Sequence, residues 1–231
     1  MSREHFISQG AFDEQYISVQ GFEWCADEPT KVSLASNASK ILCGVHNNGL
    51  SPVDDEGIYA LRYFQSLGHF EVKDGLNDRP ISGFLFERWL LKVAINVSFG
   101  GNQEIGVGMS ESEPGWPSPY LLAVVFGDMP FSHHMGAYLL CSRGARMVNP
   151  GAIAIAPIQK DGKIAGFYFH LRGIDIFLSL YPGCAVPSLG QLGEFTFEKH
   201  VLEAATVYRP RQIVIASDQN KSAEINFTWG A

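Results

Sequence analysis

The segment Lys40-Ile41-Leu42-Cys43-Gly44-Val45-His46-Asn47-Asn48-Gly49-Leu50-Ser51-Pro52-Val53-Asp54 joins a short apolar run to a helix start through a turn-rich stretch of metal-ligand residue types. Ser51 is placed to cap, and Pro52 suits the first helical position because its missing N–H would be unpaired there anyway. The acids at 54–56 complement the helix dipole. The spacing predicts a helix over about 52–67, with Ile58, Leu61 and Phe64 on one face and Gly68 as the stop. Upstream, Tyr16, Ile17, Val19, Phe22 and Trp24 alternate only in part, as in a short strand or irregular ribbon.

Downstream, a polar loop at 71–80 leads to a second predicted helix over 83–98. Phe84, Leu85, Trp89, Leu91, Val93 and Val97 leave it few positions for water, so it is expected to be buried. Arg88 and Lys92 are expected to form a solvated stripe on it. After Gly100-Gly101 the texture changes to apolar, β-rich segments between Gly/Pro turns. These are 105–109, 120–126, 137–141, 152–158, 164–171, 174–180, 206–216 and 223–229. Lys160-Asp161-Gly162-Lys163 is the strongest hairpin signal, because Asp-Gly favours a two-residue turn. The expected fold class is α+β, with a mainly antiparallel second half arranged as a sandwich or a bent sheet. The expected organisation is a module at 1–67, a helical connector at 68–100 and a β-rich domain at 101–231.

The 231 residues are 46% hydrophobic and 18% charged, which excludes a disordered chain. No uncharged apolar stretch approaches the roughly 20 residues that span a bilayer. The start Met1-Ser2-Arg3-Glu4-His5 lacks a secretory pattern, and the four widely spaced cysteines form no disulfide framework. A cytoplasmic protein with no membrane partner is expected. Net charge is −7, and residues 1–100 hold eight Lys and Arg against thirteen Asp and Glu. Neutralising phosphates supplies most of the affinity of a nucleic-acid binder, so this balance counts against DNA as a partner.

Three fragments carry candidate chemistry: Glu4-His5, Asn37, and Cys43-x-x-His46-Asn47. With Ser2–Ser8, Val19–Trp24, 40–54 and Gly83–Lys92, they resemble an uncharacterised group of bacterial and phage-associated HNH-like endonucleases, over roughly residues 2–92. The resemblance implies a treble-clef, ββα-metal module at 1–67. It implies His5 as general base, Glu4 and Asn47 as ligands of one Mg²⁺ or Mn²⁺ ion, and Asn37, less securely, as the middle Asn of the motif. It also implies Cys43 and His46 as structural zinc ligands. Similar proteins carry a further Cys-x-x-Cys pair before the Glu-His. Here Met1 stands directly before that motif and Cys25 is the only nearby spare thiol, so zinc is expected to bind weakly or not at all. Ser8 replaces a frequent Pro.

Other polar residues have plainer readings. His133-His134 are adjacent, and adjacent loop residues seldom aim at one ion. His170 and His200 lie in strand-like contexts and read as structural. Two functions follow from the sequence: a metal-dependent HNH-type endonuclease acting on DNA, or a non-catalytic interaction protein. In the second, the HNH-like module is a scaffold and residues 101–231 bind an unknown partner.

Overall fold

The computed structural model describes residues 2–5, 7–13, 15–19, 28, 30–33, 38–68, 79–100, 105, 117–132, 134–141, 152–160, 163–180, 205–216 and 222–230. In chain order, β1 (Ser2–His5) is followed by a 3-10 turn (Gln9–Ala11), β2 (Tyr16–Val19), β3 (Thr30–Ser33) and β4 (Ala38–Leu42). Helices α1 (Gly44–Gly49) and α2 (Ser51–Gly68) come next, then β5 (Ile81–Ser82), α3 (Gly83–Gly100) and α4 (Pro119–Phe126). The remaining strands are β6 (Gly136–Cys141), β7 (Ile153–Lys160), β8 (Lys163–Leu171), β9 (Ile174–Ser179), β10 (Ala205–Tyr208), β11 (Gln212–Ala216) and β12 (Ser222–Thr228). This is an α+β chain whose second half is mainly antiparallel sheet.

The turn-rich stretch after Cys43 is helical. Pro52 has no N–H to continue the ladder and its ring crowds the carbonyl four residues back, so one helical run is split in two at Leu50. The buried Leu50 carbonyl then accepts from the N–H groups of Val53 and Asp54 at 3.0 Å. Ser51, expected to cap, stands inside α2 as its first residue. From there Val53, Gly57, Ala60, Leu61, Phe64 and Leu67 repeat at helical spacing and are all buried. Gly57 sits so close to Trp89 that an added Cβ would lie 2.4 Å from the indole, which is why α2 and α3 can pack tightly.

Two expectations are corrected. Residues 120–126, expected as a strand, form α4. Ser118 caps it by accepting from the Leu121 N–H, Pro119 occupies the first turn, and Gly127 closes it in the left-handed region at φ 87°. The 206–216 segment is two strands, because Arg209 has φ 45° and Pro210 follows it without an N–H. Of the 105–109 segment, Ile105 makes a single bridge to Ile164, and the rest lies outside the described residues.

Five strands form one wholly antiparallel sheet in the order β10-β6-β9-β8-β7. The predicted hairpin is present, with Lys160 opposite Lys163; Asp161 and Gly162 lie outside the described residues. Alternation along the strands sends Leu139, Phe167, Phe169, Ile176 and Leu178 into the main core and Tyr138, Leu140 and Phe177 to the other face. The inner face meets α3, so a helix covers it rather than a second sheet. Strands β11 and β12 pair antiparallel, and β12 pairs parallel with β5. One hydrophobic cluster runs from Ile7 to Phe227 through all these layers. Each fully buried Leu or Phe in it contributes about 2–3 kcal/mol.

Helix α3 carries four polar ties out of this core. Glu87, only 1% exposed, accepts from the Ala137 N–H at 2.7 Å and takes Arg209 as a bidentate partner at 2.9 and 3.0 Å. Gly136, at φ 111°, leaves the room this needs, since a Cβ there would meet the carboxylate at 2.4 Å. Burial pushes the Glu87 pKa up, against the pull of Arg209 and the Ala137 N–H. Arg88 donates to the Val125 carbonyl at 2.9 Å, and burial lowers its pKa. Lys92, 4% exposed, holds both oxygens of Asp54 at 2.6 Å. Asn96 donates to the His5 carbonyl at 3.2 Å. The expected solvated stripe is thus incorrect. Arg88 and Lys92 turn inward because α4 and α2 each offer an acceptor there.

Two stability measurements follow. Glu87→Ala leaves a buried N–H and a guanidinium without their acceptor and is expected to cost about 3–5 kcal/mol in urea denaturation. Glu87→Gln keeps the shape and one acceptor and is expected to cost clearly less. A double-mutant cycle of Asp54→Ala with Lys92→Ala is expected to return a coupling of roughly 1–3 kcal/mol. Additive effects would show that the pair does not hold α2 to α3.

Candidate functional site

Strand β1 delivers the Glu4-His5 motif to the front of α1. It runs antiparallel to β4, with Ser2 opposite Leu42, Glu4 opposite Ser39 and His5 opposite Ala38. The register shifts between Ser2 and Glu4, the kind of irregularity that re-aims side chains along a strand. Leu42 leads directly into Cys43 and α1, and β1 packs against α1. The half-buried His5 thus lies on a strand that contacts the helix bearing Asn47. Its Nδ1 is buried and has no hydrogen-bond partner among the described residues. An orphaned buried nitrogen costs about 1–3 kcal/mol, a cost that a hydrogen-bonding partner at that atom would relieve.

Each sequence candidate has a definite place. Glu4 is on β1, the first paired residue after the shift. Asn37 lies outside the described residues, as does Cys25. Asn47 is half-buried in α1, with its N–H on the Cys43 carbonyl at 2.9 Å and its carbonyl accepting from Leu50 at 3.1 Å. Cys43 is the residue before α1, exposed and free, and His46 is exposed one turn on. The His46 ring rests against Phe126 of α4 with centroids 5.1 Å apart.

The Cys43–His46 pair fits two corners of a zinc tetrahedron. Zinc–sulfur and zinc–nitrogen bonds of roughly 2.3 and 2.1 Å place tetrahedral donors about 3.6 Å apart. Cys43 Sγ lies 3.5 Å from His46 Nδ1. The same separation also suits a weak S–H···N hydrogen bond. Among the described residues no group of three or more His, Cys, Asp or Glu is gathered at one point.

Behind β1 stands a polar cluster that the sequence did not single out. Ser8 donates to Asp54 Oδ1 at 2.7 Å, and Lys92 closes on the same carboxylate from α3. With Asn96 on the His5 carbonyl, the strand end is held at two points, three residues apart. The available signals were a lone Lys in an apolar helix and Ser8 in a position often occupied by Pro. Neither names its partner, since Asp54 is 46 residues from Ser8 and 38 from Lys92.

Among the described residues the other histidines, His134 and His170, stand apart, and His200 lies outside those residues. His134 is exposed at φ 68°, and His133 lies outside the described residues. His170 Nδ1 meets Asp175 Oδ1 at 2.6 Å across β8 and β9, and Tyr168 donates to the same oxygen at 2.6 Å. No described helix is long and apolar enough to cross a membrane. No protein-family model, curated protein or solved structure matches this chain.

Proposed function

We propose that this chain is a metal-dependent phosphodiesterase of the HNH type, with DNA as its substrate. One observation supports this reading above the others: β1, bearing Glu4 and His5, pairs with β4 and packs against the helix that β4 leads into, which follows Cys43 and bears His46 and Asn47. The order strand, strand, helix with those residues is the one that the HNH resemblance implies.

In this reading the His5 imidazole takes the proton of the attacking water as that water's oxygen bonds to phosphorus. The bridging P–O bond then breaks, and its electron pair leaves with the sugar oxygen. Glu4 and Asn47 hold Mg²⁺ or Mn²⁺, which supplies stabilisation of the charge developing on the phosphate and the leaving oxygen. Asn96 and the Ser8–Asp54–Lys92 chain act through the backbone by fixing the strand end that carries His5. Cys43 and His46 belong to the structural side of the module.

The charge balance favours a second reading. A net charge of −7 counts against DNA as a partner, which suits a non-catalytic interaction protein built on the same module, with residues 101–231 as the binding part.

Nicking of supercoiled plasmid with Mg²⁺ or Mn²⁺ separates the two. His5→Ala is expected to reduce nicking by ~10²–10⁴-fold, as loss of a general base does, with an unchanged circular dichroism spectrum. Absence of nicking by the parent chain, or nicking that survives the substitution, would leave the interaction reading in place.

A further inference from the structure

One ion pair ties helix α3 to the corner between β10 and β11. Glu87 Oε1 accepts from the Ala137 N–H at 2.7 Å and from Arg209 Nε at 3.0 Å, and Oε2 accepts from Arg209 Nη2 at 2.9 Å. The guanidinium stands in a cage of rings, its carbon 5.1 Å from the centroids of Phe84 and Tyr208 and 5.5 Å from that of Trp229. Trp229 steadies the corner by donating its indole N–H to the Pro210 carbonyl at 2.7 Å. Arg209 has φ 45°, left-handed backbone that a non-glycine residue keeps only where its surroundings hold it. Its own N–H donates to the Ala137 carbonyl at 3.1 Å. A helix, the edge of the five-stranded sheet and the entry to β11 thus meet at one charge pair. The partners differ in access to water, since the Glu87 side chain is 2% exposed and that of Arg209 20%.

We infer that this pair is a proton-operated latch: a proton on Glu87 frees Arg209 from its cage and loosens the corner between β10 and β11. The proton comes from solvent and goes to Oε2, whose partner is the guanidinium alone. Oε1 keeps the Ala137 N–H, so the carboxyl stays in place as a neutral acceptor. Arg209 retains its own proton at any such pH and is left charged beside a neutral group. Its partial exposure gives it a short way to water, and the faces of Phe84, Tyr208 and Trp229 are uncovered as it leaves. From the described elements packed on it, Glu87 is faced by Arg209 and Tyr208 at the corner and by the Ala137 N–H of β6. On its own helix, Arg88 turns to Val125 of α4 and Lys92 to Asp54 of α2. Burial raises the Tyr208 pKa, so its hydroxyl stays neutral and bonded to the Met135 carbonyl. Burial also holds Glu87 above the ordinary glutamate value of 4.5, against the pull of Arg209 and the Ala137 N–H. With its folded pKa above the unfolded one, this group favours the folded chain at low pH, and that contribution is lost as pH rises through the folded value. Taking up the proton therefore opens the corner in a chain that stays folded.

The inference is independent of whether His5 is catalytic, and its test does not read activity. Nuclear magnetic resonance follows the Arg209 Nε–H and the Trp229 indole N–H of the full chain as the pH is lowered from neutral. Both signals are expected to move together, with one midpoint above 4.5. The Arg88 Nε–H, bonded to the Val125 carbonyl, is expected to stay in place, as is the circular dichroism spectrum. Glu87→Gln, neutral at every pH, is expected to show the acid position of the Arg209 signal already at neutral pH and not to titrate. An Arg209 signal that stays put, or one that moves only at or below 4.5, would overturn the latch. So would loss of the circular dichroism spectrum at the same midpoint, which would mean unfolding. Should Glu87→Gln fail to fold, the titration of the parent chain decides by itself.

Discussion

Helix α3 is buried on nearly every side, and that constraint organises the molecule. A helix with Phe86, Trp89, Leu90, Leu91, Val93, Ala94 and Val97 all buried has no solvent face on which to leave a charge. Glu87, Arg88, Lys92 and Asn96 each find a partner on a different element. Glu87 reaches Ala137 and Arg209 on the sheet side, and Arg88 reaches the last turn of α4. Lys92 reaches Asp54 on α2, and Asn96 reaches the backbone of β1. An unpaired charge at such a position costs several kcal/mol, so these ties specify which neighbour lies on which side. Hydrophobic burial supplies the drive, while the four ties select the arrangement.

The candidate site inherits its position from the same helix. His5 is not in the core, yet the strand that carries it is pinned on both sides, by Asn96 at its carbonyl and by Ser8 on the Asp54–Lys92 pair. Helix α1 is the opposite case, with no buried residue, and is braced by β1, the His46–Phe126 contact and the Leu50 junction.

What the sequence disclosed depended on how local the signal was. Helices α2 and α3 announce themselves through Ser51-Pro52, apolar spacing and Gly68, and the β7–β8 hairpin through Asp161-Gly162. The α4 segment misleads because Tyr120-Leu121-Leu122-Ala123-Val124-Val125-Phe126 is apolar throughout and has no period to read. Its ends do carry the answer, since Ser118-Pro119 caps it and Gly127 closes it. Lys92 could not be placed from sequence, because burial of a charge depends on a partner that only the tertiary fold supplies. For the site, order was legible and geometry was not. The residues of the motif are readable in the chain, but the register of β1 on β4 and the contact of β1 with α1 are long-range facts.

Paramagnetic relaxation by Mn²⁺ probes most directly whether His5 and Asn47 serve one ion. Substoichiometric Mn²⁺ broadens the nuclear magnetic resonance signals of side chains near the ion and leaves remote ones sharp. The His5 ring and the Asn47 side-chain amide are expected to broaden together at the first additions, while the ring of His170, paired with Asp175 in the sheet, stays sharp. Broadening of only one of the two, or of neither before His170, would contradict a shared metal site at the junction of β1 and α1.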